Sequence, residues 1–116
     1  MNDGRVAVTI DRPLGSAHPA YPELRYPVNY GFVPGMMAPD GEPQDAYVLG
    51  VEAPLAVGTF FCGRRVAIVR RRDDVEEKWV VCPEGYAPSR EQIETQLRFV
   101  ERFFDSVVEM LPPQPR

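Results

Sequence analysis

The chain has 116 residues, 44% of them hydrophobic, and its 17 acidic side chains outnumber its 13 basic ones to give a net charge of −4. This length suits a single domain over residues 1–116 with one modest core. The acidic balance argues against a nucleic-acid partner, because such partners are held by many Lys and Arg contacts to phosphates. No apolar run approaches the roughly 20 residues of a membrane-spanning helix, and the first residues lack the apolar core of a signal peptide, so we expect a cytoplasmic protein without a membrane partner.

The first predicted element is a strand over residues 5–10, which Asp11 and Pro13 bring to an end. Residues 13–45 are rich in proline and glycine, and this composition predicts neither a helix nor a long central strand. Aromatic side chains recur in the same stretch, so we interpret it as an ordered, functional loop region rather than a disordered linker. His18, which lies in this loop, is interpreted as a surface residue rather than a general base.

Three carboxylates, those of Asp40, Glu42 and Asp45, fall within six residues of a turn-forming segment. Like charges this close repel one another unless the loop opens into water or collects cations. Carboxylate oxygens are the ligands that Mg²⁺ and Mn²⁺ prefer. Taken alone, the segment is interpreted as a solvated loop, and only together with a tyrosine-rich motif upstream does it indicate a metal site.

Beyond Asp45 the sequence predicts strands over residues 46–51 and 58–61, and then an antiparallel pair over 64–71 and 76–82. The turn of this pair begins a second acidic group, Asp73, Asp74, Glu76 and Glu77. Alternation along the return strand places Glu76 and Lys78 on one face, about 7 Å apart, and Trp79 on the other. If the two acidic groups meet in space, they form a multi-metal site with a phosphate-binding cation beside it.

Two further features of these strands are interpreted as structural. Arg70, Arg71 and Arg72 form a run that we expect to be solvated and to offset neighbouring acids, with one of them able to approach a substrate. Cys62 and Cys82 are too few and too far apart for a zinc ribbon or a disulfide scaffold, so we predict two buried, reduced thiols.

The last predicted element is an amphipathic helix over about residues 89–110. Ser89 and Gln92 form a capping-box pattern at its start, and one apolar stripe, Ile93, Leu97, Val100, Phe104, Val107 and Leu111, continues along it. The proline-rich residues 112–116 are predicted to be a disordered tail. Short strands followed by one such helix indicate a small closed or partly closed barrel with the helix packed against it.

Two motifs in succession, Tyr26-Pro27-Val28-Asn29-Tyr30-Gly31 and Asp40-Gly41-Glu42-Pro43-Gln44-Asp45, resemble the soluble, metal-dependent inorganic pyrophosphatases of the family I type. The resemblance runs from the first strand to about Pro83 and weakly into the terminal helix. It implies a mainly β fold, a small OB-like five-stranded barrel with a C-terminal amphipathic helix. It also implies hydrolysis of inorganic diphosphate to two phosphates with several Mg²⁺ ions, or with Mn²⁺ in their place.

The same resemblance implies roles for individual residues. Asp40, Asp45 and Glu76 would be metal ligands, together with one of Asp73 and Asp74. Glu42 would help to activate the attacking water. Substrate contacts would come from Lys78 and Tyr30, with Asp11 as the outer carboxylate of the first strand.

The chain departs from the family pattern at three places. The hairpin that usually supplies a lysine, a glutamate and an arginine before the tyrosine motif is missing, and Arg12 or Arg25 is the candidate replacement for substrate binding. Glu42 stands where aspartate is usual. The family's Tyr-Lys pair of the terminal helix falls at Phe103 and Phe104.

These departures leave two other functions open besides diphosphate hydrolysis. The barrel could be a degenerate module that binds a metal or a partner without turnover, or a hydrolase of another small phosphoanhydride or phosphate ester. In each case we expect a homo-oligomer, because a small barrel has exposed edges and the terminal helix is aromatic.

Overall fold

The computed structural model describes residues 4–112, and within them six strands and one helix follow one another. Their bounds are β1 Arg5–Arg12, β2 Asn29–Met37, β3 Pro43–Val48, β4 Phe60–Arg71, β5 Glu77–Cys82, α1 Arg90–Glu101 and β6 Ser106–Met110. The strands are ordered β1-β2-β3-β5-β4-β6, and a further pairing between β1 and β4 closes the first five into a barrel. The prediction of a five-stranded barrel with a C-terminal helix is therefore confirmed.

Two apolar cores lie on opposite faces of the sheet, because side chains alternate along each strand. The barrel interior is filled by Val8, Ile10, Val33, Ala46, Val48, Ile68, Trp79 and Val81. The outer face of β3, β5 and β4 packs against α1 and contributes Tyr47, Val69 and Val80, together with Leu49 just after β3, to a core with Ile93 and Leu97. This second face carries the candidate site.

The terminal helix is shorter than predicted. It begins as expected, since the Ser89 hydroxyl accepts from the backbone N–H of Gln92 and the Gln92 side chain accepts from the backbone N–H of Ser89. It ends at Glu101, and residues 106–110, predicted as helix, form β6 instead. Within β6, Val108 is buried against β4, opposite Val69.

The loop region predicted for residues 13–45 contains a nine-residue central strand, β2, which pairs with both β1 and β3. The β2–β3 register shifts between Val33 and Met37. Pro34 and Gly35, residue types that argue against a strand, lie at this shift. A bulge tolerates these residues because the ladder is locally interrupted there. The prediction of a loop for this part of the chain is wrong.

Smaller differences concern strand bounds and the cysteines. Asp45 lies inside β3 rather than before it, and the two strands predicted over residues 58–71 are one twelve-residue strand. Cys82 is buried, which raises the pKa of its thiol to about 12, whereas Cys62 is exposed against expectation. Of the predicted tail, residues 113–116 lie outside the described residues. Within residues 4–112 no helix has the length and apolar character needed to cross a membrane.

Candidate active site

Asp45 and Lys78 are brought together by the register of two parallel strands. β3 and β5 pair with Asp45 opposite Lys78, so their side chains leave the sheet on the same face. The buried Gln44 side chain fixes this register, because its amide nitrogen donates to the carbonyl oxygens of Asp45 at 2.9 Å and of Glu77 at 3.0 Å.

Lys78 is the centre of a polar cluster on the face that packs against α1. Its ammonium nitrogen lies 3.2 Å from Asp45 Oδ2, 3.1 Å from Glu76 Oε2 and 3.1 Å from the Tyr30 hydroxyl. An ammonium group has three N–H donors, so this arrangement uses all of them. The side chain is only 10% exposed, and low exposure strengthens these charge-assisted contacts.

Tyr30 reaches the cluster from β2, where it pairs with Tyr47 of β3. Burial first, and then the Asp45 carboxylate, raise the pKa of Tyr30 well above that of a free phenol. The hydroxyl therefore stays protonated at neutral pH, and its oxygen accepts from the Lys78 ammonium at 3.1 Å.

Two other residues of the tyrosine motif have structural roles. Asn29 is fully buried, and its side-chain oxygen accepts from the backbone N–H groups of Leu14 and Leu55, each at 2.9 Å. It thereby ties two loops to the start of β2. A Cβ atom at Gly31 would lie 1.9 Å from the carbonyl oxygen of Thr9, so only glycine lets β1 and β2 approach this closely.

The early and late acidic segments line one cavity of about 450 Å³, here called the acidic cavity. Its carboxylates are Asp11, Asp40, Glu42, Asp45 and Glu76. Burial raises the pKa of Asp11, an effect that Arg12 opposes and Asp45 reinforces. In the turn that carries the first segment, Asp40 Oδ1 accepts from the backbone N–H of Glu42 at 3.0 Å.

A second cavity of about 380 Å³, here called the basic cavity, shares Asp11, Asp45 and Glu76 with the first. Its lining includes three cationic side chains, Arg12, Arg71 and Lys78, and several aromatic rings. The two cavities thus adjoin along three shared carboxylates, with Lys78 hydrogen-bonded to two of them.

The donor set of the acidic cavity fits a hard divalent cation, because five carboxylates and no basic side chain line it. No three His, Cys, Asp or Glu side chains of residues 4–112 are grouped closely enough to form a ready metal site. Asp45 and Glu76 instead both contact the Lys78 ammonium, which balances one of their two negative charges.

Three predicted site residues lie away from both cavities. Asp73 and Asp74 are exposed in the β4–β5 turn, where Asp74 accepts from the backbone N–H of Val75. Arg25 is exposed and donates to the carbonyl oxygen of Gly15 at 3.2 Å. Neither cavity is lined by any of the three, so their predicted roles gain no support from the geometry.

His18, predicted to be a surface residue, is half-buried and lines the basic cavity. Its ring is stacked on Tyr26, with centroids 5.6 Å apart, and its Nδ1 accepts from the backbone N–H groups of Ala20 and Tyr21. Burial, and then the charges of Arg12, Lys78 and Arg71, lower the pKa of His18. The ring is therefore neutral at pH 7, with its proton on Nε2.

Arg71 is the arginine of the 70–72 run that lines the basic cavity; the sequence interpretation allowed one of the three to approach a substrate but did not say which. The expected solvated run is divided, because Arg72 is exposed whereas the Arg71 side chain pairs with the buried Glu101 of α1 and is only 10% exposed. One signal could have identified this difference: alternation along β4 places Arg71 on the same face as Val69 and Ala67.

A family model and curated relatives both match this chain, and both carry the same description. A family model described as inorganic pyrophosphatase matches residues 7–108. The inorganic pyrophosphatase of Rhodospirillum rubrum is 32% identical over 108 residues, which cover 84% of this chain and 56% of the relative. That of Aquifex pyrophilus is 30% identical, with 90% of this chain and 61% of the relative covered. The chain thus spans about half to three fifths of the length of these curated relatives.

Solved structures agree on the fold. The inorganic pyrophosphatase of Coxiella burnetii superposes with a TM-score of 0.68 at 21% identity, covering 93% of this chain and 84% of that one. The enzyme of Helicobacter pylori gives the same TM-score and identity, with 94% and 83% covered. The fold, the paired motifs and the family match together show that this chain belongs to the inorganic pyrophosphatase family.

Proposed function

We propose that the chain hydrolyses inorganic diphosphate to two phosphates with a divalent cation, Mg²⁺ or Mn²⁺, held in the acidic cavity. The observation that carries this proposal is the contact between the two cavities. Five carboxylates line one, three cationic side chains line the other, and Asp11, Asp45 and Glu76 line both. Diphosphate needs both kinds of surroundings, because its negative oxygens must be neutralised before a nucleophile can approach.

Asp40, Asp45 and Glu76 are the proposed metal ligands, with Asp11 at the border between the cavities. A bound divalent cation would supply charge neutralisation and lower the pKa of a water molecule. Glu42, at the solvent-exposed side of the acidic cavity, is proposed to accept a proton from the attacking water. The water oxygen forms a bond to one phosphorus atom, the bridging P–O bond breaks, and the second phosphate leaves.

Lys78 and Tyr30 are the proposed phosphate-binding groups. Both line the basic cavity, and the Lys78 ammonium is hydrogen-bonded to Asp45 and to the Tyr30 hydroxyl. Asp45 and Glu76 would hold the cation, and Lys78, which lies beside both carboxylates, would then have N–H groups to donate to phosphate oxygens. The Tyr30 hydroxyl, which its raised pKa keeps protonated, would donate a hydrogen bond to phosphate oxygens as well.

The test is phosphate release from diphosphate in the presence of Mg²⁺. We expect Asp45→Ala to lose roughly 100-fold or more in rate, because a metal ligand and the partner of Lys78 are removed together. Glu52→Gln, an exposed carboxylate that lines neither cavity, is the matched control and should keep the wild-type rate. Wild-type activity in Asp45→Ala would defeat the proposal.

A binding module without turnover is the second candidate, and the position of Lys78 favours it. The ammonium group competes with any metal for Asp45 and Glu76. Calorimetry with Mg²⁺ and diphosphate separates the two functions: heat of binding without released phosphate supports the module, whereas steady turnover rules it out. A cytoplasmic location and homo-oligomeric assembly stay predictions from the sequence.

A further inference from the structure

We propose that Arg71 is an anion-binding residue of the basic cavity, which holds a phosphate group through N–H donors that its own ion pair leaves free. Glu101 is its positioning residue. The inference deepens the proposed function and rests on it for the choice of ligand.

The three consecutive arginines separate into three environments. Arg70 pairs with Glu77 and Glu109, and Arg72 pairs with Asp105. Arg71 alone of the three lines the basic cavity. Arg71 follows Val69 by two residues in β4, so both side chains lie on the face of the sheet that packs against α1.

The guanidinium group of Arg71 is held rigidly from two sides. Its Nε lies 3.1 Å from Glu101 Oε1 and its Nη2 lies 2.8 Å from Glu101 Oε2, a bidentate pair. Its plane is backed by the Phe104 ring, with the guanidinium carbon 3.8 Å from the ring centroid. A cation fixed in this way loses little conformational freedom when an anion binds.

Glu101 is itself held by other donors. The Tyr47 hydroxyl donates to its Oε2 at 2.7 Å, and the Ser106 hydroxyl donates to its Oε1 at 2.6 Å. Both carboxylate oxygens therefore accept two hydrogen bonds each, and the group is only 8% exposed. The ion pair is thus a buried support rather than a mobile surface contact.

Unused N–H donors distinguish Arg71 from Lys78. A guanidinium has five N–H groups, and within residues 4–112 the Arg71 side chain donates only to Glu101. Lys78 instead uses all three of its donors on Tyr30, Asp45 and Glu76. An anion that enters the cavity therefore meets available donors on Arg71 rather than on Lys78. The planar fork of donors suits a phosphate group.

The test is calorimetric titration with inorganic phosphate in buffer without divalent cations. Arg71→Gln removes the charge but keeps a donor for Glu101, and we expect its Kd for phosphate to rise at least about tenfold, the effect of losing a charge-assisted hydrogen bond. Arg71→Lys keeps the charge and the fold but loses the fork, and should bind with intermediate affinity. Arg70→Met, one residue earlier and outside the cavity, is the matched control and should bind like the wild type.

The steady-state kinetics of diphosphate hydrolysis provide a second measurement. In diphosphate hydrolysis, Arg71→Gln should raise KM with little change in kcat, because the contact is made before and during the reaction. Glu101→Gln should raise KM in the same direction. If Arg71 and Glu101 only stabilised the fold, their substitution would instead lower the amount of active protein and leave KM unchanged.

The outcomes separate this inference from the proposed function. A wild-type Kd for phosphate in folded Arg71→Gln or Arg71→Lys would overturn the role of Arg71, even if diphosphate is hydrolysed. No binding of phosphate to the wild type at millimolar concentration would also overturn it. Phosphate bound through Arg71 without any release from diphosphate would contradict the proposed function and leave the inference intact.

Discussion

Glu101 shows how hydrogen bonding can outweigh burial at a single carboxylate. Burial alone would raise its pKa, but donors from Arg71, Ser106 and Tyr47 hold the pKa below its usual value. The unfolded chain lacks these donors, so its Glu101 binds a proton at higher pH than the folded protein does. Glu101 therefore stabilises the fold above its ordinary pKa, and this contribution is lost as the pH falls through the folded value.

The lowered pKa of Glu101 predicts that its contribution to the free energy of unfolding depends on pH. At pH 7, Glu101→Gln should lower the free energy of unfolding by about 3 kcal/mol, since it leaves Arg71 as a buried charge without its counterion. The difference between wild type and variant should shrink as the pH falls below about 4.5, the ordinary glutamate pKa. Urea denaturation between pH 3 and 7 measures it. A difference that is constant over this range would show that the carboxylate charge does not stabilise the fold.

The sequence did not reveal this pair because it joins side chains 30 residues apart. Face alternation along β4 could predict which way Arg71 points, but not which partner it meets. For Glu76 and Lys78 the same alternation was sufficient, because both lie on one segment and no distant partner had to be known.

The junction between α1 and β6 explains why the terminal element was predicted too long. The side chains of Val107 and Val108 lie in strand β6, which pairs antiparallel with β4. β-branched residues favour such a strand, but in the sequence the spacing of Val107 also continues the helical stripe. Only the presence of β4 as a pairing partner decides between the two.

The start of α1, by contrast, was predictable because a capping box is local. Both reciprocal hydrogen bonds between Ser89 and Gln92 are formed. We expect Ser89→Ala to lower the free energy of unfolding by about 1 kcal/mol, because an N-cap hydroxyl is lost. Chemical denaturation measures this change, with phosphate release as a control that should stay at the wild-type rate, since Ser89 lines neither cavity. An unchanged midpoint would show that the cap does not support the helix.

The candidate site is assembled from parts of the chain that are distant in sequence. β1 supplies Asp11, the turn before β3 supplies Asp40 and Glu42, β3 supplies Asp45, and the segment before β5 supplies Glu76. The sequence identified these residues through local motifs and a family resemblance. It could not place them around one cavity, nor separate Glu76 from Asp73 and Asp74, because both depend on how the β4–β5 turn folds.

If the early and late carboxylates share one cation site, the affinity for Mn²⁺ depends on residues of both acidic segments. Electron paramagnetic resonance measures free Mn²⁺ during titration of the wild type, Asp45→Asn, Glu76→Gln and Asp74→Asn. We predict that Asp45→Asn and Glu76→Gln each weaken Mn²⁺ binding at least about tenfold, as expected for lost ligands, while Asp74→Asn binds like the wild type. Wild-type affinity in both Asp45→Asn and Glu76→Gln, or a loss confined to Asp74→Asn, would contradict the shared site.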